Sequence, residues 1–305
     1  VLIAVARTKR LQTVFNLYIV NLAFTDISVA LGAMSFYTTE NILGYWPFGE
    51  FMCGVWIFFD YGMTFASVFT LLAISVDRYW SVRWSVHYRS MKTRRTAVVG
   101  IAMTWITMLI LWLPPCITDR LANSSPGECI WEPSKNQEFV IVIAVIGHHG
   151  SCAVILFCYV SVCVILHKRA KIPGASKRGG RKAIEPSRKI FCVTDNVTST
   201  CFRTQARDRQ TINKSSAAKK EEGRTRKENR AFVTLSYIVI TYMVCWVPFH
   251  VVFDISAIRP EAVPELVYTV TFWLTYINST VNPILYNFSS QEFRRAFYEI
   301  CRIRR

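Results

Sequence analysis

Residues 50–80 read "EFMCGVWIFFDYGMTFASVFTLLAISVDRYW", and the solvent around that stretch decides the fold. It is apolar almost throughout and long enough to cross a bilayer as one helix, which takes about 20 residues. Inside it stand two carboxylates, Asp60 and Asp77. An unpaired charge in apolar surroundings costs many kcal/mol, so each needs a partner or a task.

The rest of the chain repeats the pattern. Of 305 residues, 52% are hydrophobic and 14% aromatic, yet the formal net charge is +16. A soluble domain would spread that apolar content through a core. Here it is gathered into blocks at about 14–38, 50–80, 96–117, 138–167, 231–257 and 264–288. At the start, "VLIAV" reaches "RTKR" almost at once, which predicts a chain that opens inside its first span. No small-residue cleavage site follows, so a signal peptide is the lesser reading of that segment. Seven spans make an all-α membrane protein, one seven-transmembrane helix bundle over residues 1–305 with its first helix truncated.

Charge sets the orientation. Arg7, Lys9 and Arg10 lie in the first connection, and Arg83, Arg89, Lys92, Arg94 and Arg95 in the third. Residues 168–230 are crowded with Lys and Arg, and the chain ends "CRIRR". The alternate connections carry Glu40 and Glu50, then Glu128, Glu132 and Glu138, then Glu261 and Glu265. Lys and Arg mark cytoplasmic loops, so the N-terminus is expected outside and the C-terminus inside. The basic excess therefore suits anionic lipid headgroups, and nucleic acid is not an expected partner. The third cytoplasmic loop, 168–230, has a composition that cannot bury a core, which predicts disorder. Within it "KIFCVTDNVTSTCF" is out of character. Residues 289–301, with "FRRAFYEI", read as an amphipathic helix on the membrane surface.

Asp60 and Asp77 are separated by roughly 26 Å at about 1.5 Å per residue, so they cannot serve one site. Asp60 falls near the outer mouth and Asp77 at the cytoplasmic edge. Asp77 opens "DRY"; Asp26 ends "NLAFTD" in the second span; "CWVPF" occupies 245–249 in the sixth; "NSTVNPILY" occupies 278–286 in the seventh. Together with "WPFG" before Cys53, these motifs, in these spans and this order, resemble the rhodopsin-like (class A) G-protein-coupled receptors. The resemblance covers the chain except most of the first span and the long inner loop.

The resemblance implies a plasma-membrane receptor, and an Asp placed as Asp60 marks the amine-binding group. That residue would be the counter-ion for a protonated amine. A unit charge pair at 4 Å is worth about 4 kcal/mol at an effective dielectric near 20. A structural role, with Asp60 paired to Tyr276 alone, is the competing reading. Around it Tyr61, Trp246, Phe249, Phe272 and Tyr276 would form an aromatic cage for a small cation, with His250 beside them. Core packing is the alternative for those rings. "DY" at 60–61, "SVHYR" after DRY, "GECIWE" and "FWLTYINSTVNP" look most like histamine and muscarinic acetylcholine receptors. A catechol would call for Ser or Thr in the fifth span, and "IVIAVIGHH" has neither. The Pro usual midway along that span is replaced by Ser151, so the bulge that shapes the pocket is in question. Family geometry brings His148 and His250 together across the fifth and sixth helices.

Other roles follow from the same resemblance. Cys53 and Cys129 would form the outer disulfide. Asp26, Ser67, Asn278 and Ser279 match a sodium pocket, with a protonated Asp26 as the alternative; no other cofactor is expected. Asp77, Arg78, Tyr79, Tyr159, Glu228, Pro248, Asn282, Pro283 and Tyr286 would run the switch that admits a heterotrimeric G protein, with Arg78 held by Asp77 and Glu228. Of the Asn-x-Ser/Thr triplets only Asn123 lies in an outer loop and is placed for glycosylation. Cys301 is a candidate for palmitoylation. Cys116, Cys152, Cys158, Cys163 and Cys245 read as small apolar residues. No phosphate loop, HExxH or nucleophile elbow supports an enzyme. A transporter would show repeats and a charged path, and neither occurs; a ligand-independent receptor stays open.

Overall fold

A computed structural model describes residues 1–123, 127–171, 192–195, 198–201 and 206–301, without the side chains of residues 89, 170–171 and 192–231. Its elements follow the apolar blocks. A short α1 (Leu2–Arg7) precedes α2 (Val14–Leu43) and α3 (Gly49–Arg83). Next come α4 (Ser85–Met91), α5 (Arg94–Ala122) and α6 (Gln137–Arg169). The long α7 (Ala206–Ile258), α8 (Glu265–Ser289) and α9 (Gln291–Ile300) complete the order.

Local chemistry sets the ends. The Thr13 and Thr93 side chains accept from the amides of Asn16 and Thr96, capping α2 and α5, and Ser290 does the same for α9. Gly44, at φ 73°, takes the left-handed conformation that stops α2. In α9, buried Phe293 and Ala296 lie on one side with arginines elsewhere, the pattern of a helix lying on a membrane surface.

Among the described residues, five helices are long and apolar enough to cross a membrane: α2, α3, α5, α6 and the Phe232–Ile258 part of α7. α8, with 25 residues, is also long enough, but Thr, Tyr, Asn and Ser interrupt its apolar residues, and its buried positions include Asn278, Ser279 and Asn282. Large apolar side chains such as Leu31, Ile110, Ile141 and Val244 point outward, as hydrocarbon requires. α3 runs through the middle, packed against α2, α5, α6 and α7, and it carries the buried carboxylate Asp60.

Two findings modify the sequence expectations. α6 contains a widened π-helical segment, Ile143–Gly150, although the expected Pro is absent. Ser151 closes it by donating from its hydroxyl to the Ile146 carbonyl at 3.0 Å. A Cβ on Gly150 would collide with the Val145 carbonyl oxygen, so glycine makes the bulge possible without proline. Within 168–230, the described backbone is regular. α7 already begins at Ala206, and the out-of-character stretch holds an antiparallel hairpin, β1 (Cys192–Asp195) with β2 (Thr198–Cys201). The rest of that loop's expected disorder falls on residues outside the described ones.

Candidate functional site

The outer site is built on Asp60. The carboxylate is 1% exposed; Tyr276 donates its hydroxyl to Oδ1 at 2.8 Å, and Oδ2 has no hydrogen-bond partner. Asp60, Tyr61, Trp246 and Phe249 line one cleft with Phe272, Thr64, Phe65, His148 and Thr275. The rings interlock: Phe272 lies 5.4 Å from Phe249 and 5.1 Å from Tyr276, both edge-on. Room for a water-sized centre is only about 10 Å³, so this is a contracted cavity. His250 stands behind the lining, its ring stacked on that of His148 at 4.3 Å.

Sequence reasoning missed the roof. Trp131 is buried, 5.4 Å from Trp112 and 5.8 Å from Tyr61, while Tyr61 stacks on Trp112 at 4.6 Å. The Cys53–Cys129 disulfide pins the outer loop two residues before Trp131, so "CIW" carried the signal. A second unforeseen anchor is buried Asp119. It pairs with Arg120 and accepts from Asn123 at 2.9 Å and Asn136 at 2.7 Å, while Arg120 also donates to the Ile130 carbonyl. Asn123, the glycosylation candidate, thus has its side chain engaged.

Deeper in the bundle, Asn282 donates to Asp26 Oδ2 at 3.0 Å. Asp26 Oδ1, Ser67 Oγ, Asn278 Oδ1 and Asn282 Oδ1 are buried without hydrogen-bond partners, and Ser279 is buried on the same helix as Asn278 and Asn282. This cluster offers one carboxylate and several neutral oxygens, the donor set of a hard cation. Among the described residues no group of three His, Cys, Asp or Glu is placed for a metal.

At the inner end Asp77 pairs with Arg78 and accepts from the Tyr88 hydroxyl at 2.7 Å, while the Arg78 guanidinium lies 4.0 Å over the Phe15 ring. Burial is the largest influence on Tyr88 and raises its hydroxyl above the ordinary value. Tyr79 packs against Trp84 and Phe157, and Tyr159 stacks on Phe232 at 5.7 Å. Tyr286 is fully buried, stacked on Phe293 of α9. Pro248 and Pro283 lie inside α7 and α8. Glu228 lies on α7, but its side chain, and with it the expected pair to Arg78, falls outside the described residues. Cys301 is exposed just past α9.

A family model described as "7 transmembrane receptor (rhodopsin family)" matches residues 1–286. Similar curated proteins include the Alpha-1D adrenergic receptor of Mus musculus, 33% identical over 306 residues, which covers 99% of this chain and 54% of that protein. The Homo sapiens Alpha-1D adrenergic receptor is 32% identical over 304 residues, 99% of this chain and 53% of that protein. The Alpha-1A adrenergic receptor of Rattus norvegicus is 30% identical over 309 residues, 99% of this chain and 64% of that protein. The chain spans about half the length of the Alpha-1D receptors it matches.

Proposed function

This chain belongs to the rhodopsin family of seven-transmembrane receptors, and on that premise we propose that it is a cell-surface receptor for a small biogenic amine that activates a heterotrimeric G protein. The observation that carries the reading is Asp60: a buried carboxylate with one oxygen unpaired, facing a cleft walled by aromatic rings. A protonated amine supplies what that oxygen lacks, and the rings favour a cation over their faces. The curated relatives are adrenergic receptors, which supports the amine class. Tyr61 and Tyr276 motivate the narrower histamine-like or acetylcholine-like ligand, which those relatives do not support.

In this reading the amine pairs with Asp60, the rings of Trp246 and Phe249 shift, and α7 swings about Pro248 to free Arg78. Agonist must favour the open state by differential affinity. Asp26 with Ser67, Asn278 and Ser279 would hold a sodium ion in the resting state, tested by the sodium dependence of agonist affinity in Asp26→Asn. The N-terminus would lie outside and the C-terminus in the cytosol, with Asn123 glycosylated, Cys301 palmitoylated and the basic inner face against anionic lipids.

The test is a panel of small amines against cells expressing the full natural chain, read as G-protein activation. Saturable responses that vanish in Asp60→Asn support the reading. Undiminished responses in that variant overturn it. The contracted cleft favours one second reading, a receptor active without ligand; strong basal activation with no amine response would establish that instead.

A further inference from the structure

The stretch "KIFCVTDNVTSTCF" stands apart from its basic surroundings, and its backbone gives it a use. β1 and β2 pair antiparallel, with Cys192 opposite Cys201, Val193 opposite Thr200, Thr194 opposite Ser199 and Asp195 opposite Thr198. Val193, Thr194, Thr198 and Thr200 are β-branched, the residue type that suits a pleated backbone. Only residues 196 and 197 separate the strands, and a connection of that length closes with a hydrogen bond between the residues flanking it. Pairs in an antiparallel ladder alternate between hydrogen-bonded and non-hydrogen-bonded. Counted outward from Asp195 and Thr198, Cys192 and Cys201 occupy a non-hydrogen-bonded pair, the kind whose Cα atoms lie about 4.5 Å apart. Disulfides join Cα atoms about 4.4–6.8 Å apart, so this register position suits one.

We propose that Cys192 and Cys201 are a reversible modification site: a dithiol that a low-molecular-weight disulfide, glutathione disulfide, oxidises to a bond across the hairpin. The proposal rests on the orientation that puts residues 168–230 in the cytosol and is independent of the amine reading of Asp60. Cytosolic thiols are kept reduced, so a disulfide there is transient and redox-sensing. One cysteine thiolate attacks the glutathione disulfide, breaking its S–S bond, releasing one glutathione thiolate and forming a mixed disulfide. The second cysteine attacks the protein sulfur of that mixed disulfide and expels the other glutathione. The two protein thiols lose two electrons and two protons, and the oxidant leaves as two glutathione thiols. Arg188, Lys189 and Arg203 flank the pair in sequence, with Asp195 the one acid between the cysteines, a balance that favours an anionic reactant. The bond would fix the hairpin just before Ala206, where α7 begins its run into the sixth span. The helix that swings in the proposed activation would then start from a covalently closed base.

Trypsin cuts after Lys189 and Arg203 and nowhere between them, so one peptide carries both cysteines and mass spectrometry reads their state directly. Membranes bearing the full chain are equilibrated with glutathione and glutathione disulfide, free thiols are alkylated, and the peptide is weighed. The wild type should give the internal disulfide, two hydrogens lighter than the dithiol, at least about ten-fold above the glutathione-bearing peptides at millimolar glutathione, because the paired thiol is present at high effective concentration. Cys192→Ser should leave Cys201 carrying glutathione. Thr200→Cys with Cys201→Thr keeps two cysteines in the same peptide but moves one to the opposite face of the hairpin, so the ratio should fall about ten-fold or more. Predominance of mixed disulfides in the wild type, or an unchanged ratio in the shifted pair, overturns the assignment. A membrane-impermeant maleimide should label this peptide only in permeabilised cells. Labelling in intact cells would overturn the cytosolic, reversible site, and the amine reading would be untouched by either result.

Discussion

Asp60 and Asp77 belong to the same helix and are opposites in every other respect. Asp77 is saturated by its own chain, paired with Arg78 and bonded by Tyr88. Asp60 is more deeply buried and has one neutral donor, Tyr276, with its second oxygen unpaired. Burying a carboxylate without a cation is costly, which is why the amine reading rests on Asp60 and not on Asp77. In the proposed reading the inner Asp holds a contact that breaks on activation, and the outer one receives the amine.

The sharpest way to break this contrast is Asp60→Asn, which keeps the shape and removes the charge. Amine affinity should fall at least about a hundred-fold with surface expression intact, as loss of a desolvated charge pair predicts. Wild-type affinity by radioligand binding in that variant would make Asp60 a structural residue like Asp77. Next in size is the roof over the outer site. Cys53→Ser opens a crosslink between residues 76 apart, worth roughly 4–5 kcal/mol by loop entropy. Surface receptor should drop several-fold on flow cytometry, and undiminished levels would show that Trp131 is held without the bridge.

The inner end predicts smaller effects. Tyr88→Phe removes one hydrogen bond to Asp77, about 1 kcal/mol, so agonist-free signalling should rise about five-fold, provided that bond favours the resting state. Basal output equal to wild type in a nucleotide-exchange assay would place Tyr88 outside the switch. Glu228→Ala should do least. A partly solvated pair to Arg78 contributes roughly 0.5–1 kcal/mol, hence about a two- to five-fold rise in basal signalling and a modest gain in agonist affinity. If both stay at wild-type levels, Asp77 and Tyr88 restrain Arg78 without Glu228.

Much of the cleft was legible because its residues carry chemistry that apolar surroundings make conspicuous. Asp60 stands out in "IFFDYGMTF" through its cost alone, and Trp246 and Pro248 through their motif. The roof was not legible, since Trp131 and Trp112 look like any belt or core aromatic until the disulfide and Asp119 bring their elements together. Nor was the bulge in α6. Proline is its usual signal, whereas here Gly150 and the Ser151 hydroxyl do the same work.

By itself the sequence determined the number and order of the apolar blocks, set an expected orientation, and made Asp26, Asp60 and Asp77 conspicuous within them. Those follow from local quantities: apolar run length against bilayer thickness, Lys and Arg bias, and the desolvation of single residues. Tertiary structure alone decided which carboxylate was completed from within, that His148 lines the cleft while His250 backs it, and that the cavity is contracted. Those depend on rotamers and on how helices far apart in sequence approach each other, and residue order does not encode that distance.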